Sequence, residues 1–149
     1  MPAHRIVSDS PAATRRLAGE VAARLRPGAV LALHGELGSG KTCFVQGLAA
    51  ALGVREPVLS PTFALAGEYR GTLALHHLDL YRLRGPADAL GIGIEDYLHG
   101  DGITAIEWAE RAAPLLPPST IHVQFAHGSS DRERIIEVQW PDGENSGAV

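Results

Sequence analysis

The sequence predicts an α/β domain built on a mixed, largely parallel central sheet with a C-terminal antiparallel hairpin. Residues 29–34 (AVLALH) and 103–108 (ITAIEW) are short runs apolar on both faces, the pattern of strands buried inside a parallel sheet. Helix-spaced apolar stripes lie between such runs, and strands alternating with helices point to a sheet with covered faces. Residues 120–126 and 134–140 alternate with period two around a polar turn at 128–131, which predicts the closing hairpin.

Taken in order, residues 4–7 read as a first short strand. Ser10-Pro11 then places an N-cap serine before a proline at the first helical position. Leu17, Val21 and Leu25 follow at four-residue spacing, predicting a helix to about Arg26 closed by Pro27-Gly28. The strand 29–34 ends at Gly35. From Lys41 to Leu52, Phe44, Val45, Leu48 and Leu52 mark the inner face of a second helix, with Gly53 as its C-terminal glycine. A loop through Ser60-Pro61-Thr62 leads to a second apolar strand at 72–80. Short helical pieces at 86–90 and 94–98, separated by glycines, precede the strand 103–108, and residues 114–118 form a proline-bounded loop before the hairpin.

A chain of 149 residues, 45% apolar and 20% charged, has the size and composition to bury its own core without disulfides. One domain is expected over 1–141, with 142–149 a polar tail that frays. Thirteen basic against seventeen acidic residues give a charge of −4, which argues against a free-standing DNA or RNA binder relying on a cationic surface. Cys43 is the only cysteine, the start Met-Pro-Ala-His-Arg lacks the pattern of a signal peptide, and no apolar run approaches the roughly 18 residues of a spanning helix. A cytoplasmic location without membrane contact is expected.

Lys41 is the only lysine among those basic residues; the rest are arginine. Its surroundings explain why an ammonium, a compact rotatable point charge, is kept there. Gly35-Glu36-Leu37-Gly38-Ser39-Gly40-Lys41-Thr42 fits G-x-x-x-x-G-K-[ST] and lies between a predicted strand and a predicted helix, the context that identifies a phosphate loop. Glycines let backbone N–H groups turn inward around an anion, and the following helix aims its free N–H groups at the same place. Lys41 would bridge the β- and γ-phosphates, and the Thr42 hydroxyl would take a Mg²⁺ position. The fold expected is a three-layer P-loop NTPase-like domain.

Such a loop needs a carboxylate at the end of a neighbouring strand. Asp79 and Glu107 each follow an apolar run and either can reach the metal, directly or through water. His77, Asp79 and Tyr81 share a face if their strand stays extended, and a network ordering the Mg²⁺ end of the pocket explains them better than half of a transition-metal site. Cys43 is expected to pack behind the loop. Arg82 and Arg84 read as either solvated charge or phosphate and partner contacts, and spacing favours the first.

The order GELGSGKT, LSPTF at 59–63, HLDLYRL at 77–83, I-x-D-Y-L at 94–98 and IEW at 106–108 resembles the TsaE (YjeE) family, the small ATPases of bacterial threonylcarbamoyladenosine tRNA modification. The resemblance implies ATP phosphates on residues 35–42, with Cys43 beside them where the family commonly has threonine. It further implies Mg²⁺ on Thr42 and Glu107, a switch-like loop around Thr62, and functional roles for Asp79 and Trp108. TsaD and TsaB are the implied partners, through which tRNA is reached indirectly. Arg132 and Arg134 are the candidates for contacts near the adenine. A small-molecule kinase is the alternative, with Arg82 and Arg84 as its only lid arginines and no acceptor motif. A guanine-nucleotide switch fails for want of a base reader, since the one asparagine is Asn145. No arginine or glutamine near the motifs stands out as a transition-state stabiliser, so a weak ATPase completed by its partners is expected.

Overall fold

The computed structural model describes residues 3–36, 40–58 and 66–141. The strands are β1 (Ala3–Ser8), β2 (Val30–His34), β3 (Ala66–Arg70), β4 (Ala74–Asp79), β5 (Ile103–Glu107), β6 (Ile121–His127) and β7 (Arg134–Gln139). The helices are α1 (Pro11–Ala22), α2 (Lys41–Ala51), α3 (Pro86–Gly91) and α4 (Ile94–Leu98), with a 3₁₀ segment at Ala109–Leu115. The strands form one sheet in the order β1-β7-β6-β2-β5-β4-β3. Four consecutive strands run parallel through the pairs β6–β2, β2–β5 and β5–β4, while β7, β1 and β3 pair antiparallel.

The sheet is covered on both faces. On one side α1 and α2 bury Leu17, Val21, Phe44 and Leu48 against Leu31, Leu33, Val123 and Ile136. On the other, α3, α4 and the 3₁₀ segment bury Ala89, Ile94, Leu98 and Ala112 against Ala32, Leu78 and Ile106. The expected three layers follow from β2 and β5, whose residues are buried on alternating faces. The two helices of the first layer approach closely at Gly47, where a Cβ would lie 2.5 Å from the Arg15 carbonyl oxygen.

Several boundaries differ from the expectation, each for a local reason. Ser10 caps α1 by accepting from the Ala13 N–H, and Pro11 sits at the first turn as expected. The helix ends at Ala22 and not near Arg26, because Arg24 and Leu25 donate to Val21 and Ala22 in tighter i to i−3 bonds. Pro27 also disfavours a helical residue before it. The strand expected at 72–80 is shorter, since 71–73 form the turn of a β3–β4 hairpin, tied down by Thr72 N–H donating to the Leu52 carbonyl at 2.7 Å. β3 itself (AGEYR) was not expected. It is a polar edge strand, with Glu68 and Arg70 exposed, and so lacks an apolar signature. Residues 109–115, read in part as loop, make the 3₁₀ turns, and β5 stops at Glu107.

Candidate functional site

The parallel strands deliver their C-terminal ends to one edge of the sheet, and the candidate site lies there. β2 ends at His34, and α2 begins at Lys41 with Gly40 as its N-cap residue at φ 107°, a backbone conformation that favours glycine. Among the described residues no side chain caps α2 and no acidic residue stands in its first turn, so its leading N–H groups are available to an anion. Leu37, Gly38 and Ser39 lie outside the described residues, as does Thr62.

Lys41 is 4% exposed. Its ammonium donates to the Gly35 carbonyl at 2.5 Å and sits 4.4 Å from the centre of the Trp108 ring. Burial lowers its pKa below the ordinary lysine value, against the opposing pull of Glu107, Glu110 and, least, Asp79. The only lysine of the chain is thus held desolvated at the start of α2.

The next residue of α2, Thr42, stands beside the end of β5. Its Oγ1 donates to Glu107 Oε2 at 3.3 Å, and the same oxygen accepts from His77 Nε2 at 2.6 Å. Glu107 is 5% exposed and His77 fully buried. Asp79 is the register partner of Glu107 across β4 and β5, so the two acids expected at strand ends do meet at one edge. They are not equivalent. Asp79 is half-buried and accepts the Tyr81 backbone N–H at 3.0 Å, whereas Glu107 faces Thr42.

Tyr81 leaves the shared face expected for it, because β4 ends at Asp79 and the chain turns. Its ring packs on Trp108 with centroids 4.9 Å apart. Trp108, expected as the last residue of the strand 103–108, lies beyond the end of β5. It has φ 58°, the only positive φ among the described non-glycine residues, and this left-handed turn swings the indole between Lys41 and Tyr81.

A cleft of about 340 Å³ adjoins the α2 N-terminus, lined by Ser10, Thr14, Gly40, Cys43, Arg132 and Arg134 among others. Cys43 packs α2 against α1, as expected of it behind the loop. It is half-buried, donating to the Pro11 carbonyl and accepting from Arg15. Arg84 is 91% exposed and pairs with Asp88, as solvated charge would. Sequence reasoning missed a further cluster: His34 and His122 stack with Nε2 and Nδ1 3.0 Å apart, and Glu110 reaches His34 Nδ1 at 3.6 Å. The three residues lie on separate elements, and no local spacing connects them.

The donors at the edge suit a hard cation. Thr42 and Glu107 offer oxygen, and Mg²⁺ takes few protein oxygens while keeping waters or phosphate in its remaining positions. Among the described residues no three His, Cys, Asp or Glu side chains are placed to hold a metal by themselves, and no helix is long and apolar enough to cross a membrane.

The model of a family described as threonylcarbamoyl adenosine biosynthesis protein TsaE matches residues 8–136. A relative named tRNA threonylcarbamoyladenosine biosynthesis protein TsaE, from Treponema pallidum, is 44% identical over 81% of this chain and 90% of its own length. One of the same name from Bacillus subtilis is 38% identical over 85% of this chain and 79% of its own. The crystal structure of Bacillus subtilis YdiB superposes with a TM-score of 0.80 at 33% identity, covering 92% of this chain and 84% of that one.

Proposed function

The chain belongs to the TsaE family, with a role in tRNA threonylcarbamoyladenosine biosynthesis, and from that premise we propose that it is a cytoplasmic Mg²⁺-dependent ATPase serving TsaD and TsaB. Its turnover of ATP drives or resets the TsaD–TsaB complex that modifies adenosine beside the tRNA anticodon, with tRNA contacted through the partners. The observation that carries this reading is the meeting of Thr42 Oγ1 and the Glu107 carboxylate, 3.3 Å apart, at an uncapped helix N-terminus beside a buried lysine.

The residues divide the work by their chemistry. The N–H groups at the start of α2 and the segment 35–40 bind phosphate oxygens, with Glu36, Leu37, Gly38 and Ser39 contributing backbone. Lys41 gives up the Gly35 carbonyl and the Trp108 ring for the β- and γ-phosphates, a change favoured because its burial leaves the ammonium poorly solvated. Thr42 and Glu107 would hold Mg²⁺, which when bound neutralises charge developing on the phosphates. Asp79 acts through water, since one of its oxygens already caps the turn to Tyr81. The cleft beside Cys43 and Arg132 takes the nucleoside. Thr62 is assigned to the segment that closes over the γ-phosphate.

The test is phosphate release from ATP by the chain alone and with the TsaD–TsaB pair. Slow turnover alone and a rise of orders of magnitude with the pair is the expected result, because a group supplied in trans is worth about 10³ to 10⁵ in rate. A rate that the pair leaves unchanged overturns the partner-gated mechanism.

A further inference from the structure

The Glu107 carboxylate is held from β4 by a single imidazole. His77 is 0% exposed, and its Nε2 stands 2.6 Å from Glu107 Oε2. A carboxylate oxygen at that distance accepts, so Nε2 carries a proton and donates it. The opposite nitrogen, Nδ1, is buried without a hydrogen-bond partner among the described residues. Burying an unpartnered polar atom is destabilising, and a leucine or phenylalanine would fill the same place in the core without it. What histidine offers here that such a residue would not is the Nε2 donor.

The second donor to Oε2 is the Thr42 hydroxyl at 3.3 Å. An oxygen already accepting from two donors has no strong lone-pair direction left, so a cation reached by this carboxylate meets Oε1. The Thr42 proton points to Glu107, which turns the lone pairs of Oγ1 outward to the same cation. Strand geometry makes the arrangement rigid: His77 and Glu107 project from the same face of β4 and β5, two residues out of direct register.

We propose that His77 is a positioning residue for the nucleotide's divalent cation. It locks Oε2 of Glu107 as an acceptor, presents Oε1 and the Thr42 oxygen as a preset pair of ligands, and thereby sets how tightly the cation is held. The proposal rests on the nucleotide-binding reading above and adds to it a residue outside the phosphate-loop and acidic set.

The experiment uses the full chain and Mn²⁺ as a paramagnetic probe, titrated in the presence of ADP and followed by electron paramagnetic resonance. Binding of a fluorescent ADP analogue is measured alongside in EDTA, and thermal unfolding reports the fold. Three variants separate geometry from packing. His77→Gln carries an amide donor near the position of Nε2; His77→Asn carries one near Nδ1, too short to reach Glu107; His77→Leu carries none.

Loss of such a supporting hydrogen bond weakens metal affinity by about 10- to 100-fold. The Asn and Leu variants should fall in that range, His77→Gln should stay within about threefold of the parent, and nucleotide affinity in EDTA should be the same in all four proteins. If His77→Leu does not fold, the Gln and Asn pair decides. Parental Mn²⁺ affinity in His77→Asn or His77→Leu overturns the proposal, and so does a Gln variant as weak as Asn. Failure of the parent protein to bind Mn²⁺ with ADP while it binds the analogue in EDTA overturns the metal assignment of Thr42 and Glu107, and the proposal with it. Failure to bind the analogue at all overturns the nucleotide reading.

Discussion

Lys41→Met removes the ammonium and keeps most of the stem, and its effects on stability and on turnover should run in opposite directions. In the folded protein the ammonium donates to Gly35 and lies on Trp108. A hydrogen bond from a charged donor is worth about 1.5–3 kcal/mol and a cation–π contact about 0.5–2 kcal/mol. Against them stands the burial of a cation, which costs several kcal/mol. The lowered pKa says that burial wins. Methionine should therefore leave the melting temperature unchanged or raise it by a few degrees, the shift produced by about 1 kcal/mol in a chain of this length. Removing a charged donor from a reacting phosphate costs far more, about 2.7–4 kcal/mol or 10²- to 10³-fold in rate.

A pH series sharpens the test. Because the folded-state pKa lies below 10.5, the unfolded chain holds this proton more tightly, and stability gains as pH rises through the lowered pKa toward 10.5. Tyr97, raised by burial and then by Glu68, pulls the other way at higher pH, so the quantity to read is the difference between parent and variant. With no second lysine in the chain, that difference belongs to Lys41. Phosphate release at saturating ATP with the partner pair, thermal unfolding and the pH series are the measurements. Equal turnover in parent and variant, or a melting temperature lower by about 10 °C or more, refutes the reasoning.

Thr42→Ala and Glu107→Gln should each raise the Mg²⁺ concentration for half-maximal turnover by about tenfold or more, with Asp79→Asn weaker than either; a larger effect at Asp79 reverses the ranking of the two acids. Gly47→Ala should lower the melting temperature by roughly 4–8 °C: overpacking against the Arg15 carbonyl at 2.5 Å costs up to about 3 kcal/mol and the helix preference of alanine returns about 1 kcal/mol. An unchanged melting temperature would show that α1 moves aside freely. The pKa of His34 is lowered by burial, then by His122 and Lys41 against an opposing Glu110, and that of His122 by burial. The contribution of these two histidines to stability should be complete above 6.5 and be lost as pH falls from 6.5 through the lowered values, because the unfolded chain takes up these protons first. His34→Gln should flatten that slope in urea unfolding, and a slope equal to the parent's would refute it.

Much of the fold was legible because its signals are local. The apolar runs at 29–34 and 103–108 carry a two-sided burial pattern that only an inner strand satisfies, and both became inner strands, β2 and β5. Ser10-Pro11 marked the start of α1 through a cap that depends on four consecutive residues. β3 escaped because an edge strand with exposed Glu68 and Arg70 needs no apolar alternation; its partner β4 supplies the pairing. Trp108 was misplaced because period-two reasoning holds only while the backbone stays extended, and the strand ends one residue earlier.

For the site, the inventory is legible from residue types alone: a G-x-x-x-x-G-K-T pattern between a strand and a helix, one lysine, a hydroxyl after it, and acids at the ends of two later strands. Those follow from residue identity and short spacing, which a chain carries whether folded or not. Tertiary structure decided which groups meet. The parallel register of β4 with β5 set His77 and Asp79 against Glu107, and the entry of α2 at the end of β2 brought Thr42 to the same carboxylate. A left-handed turn carried Trp108 to Lys41, and the pairing of β2 with β6 stacked His34 on a residue 88 positions away. Hydrogen bonds and desolvation act over a few ångströms, so which oxygen of Glu107 is held, and which ammonium is stripped of water, is settled only when strand register and helix packing fix those distances.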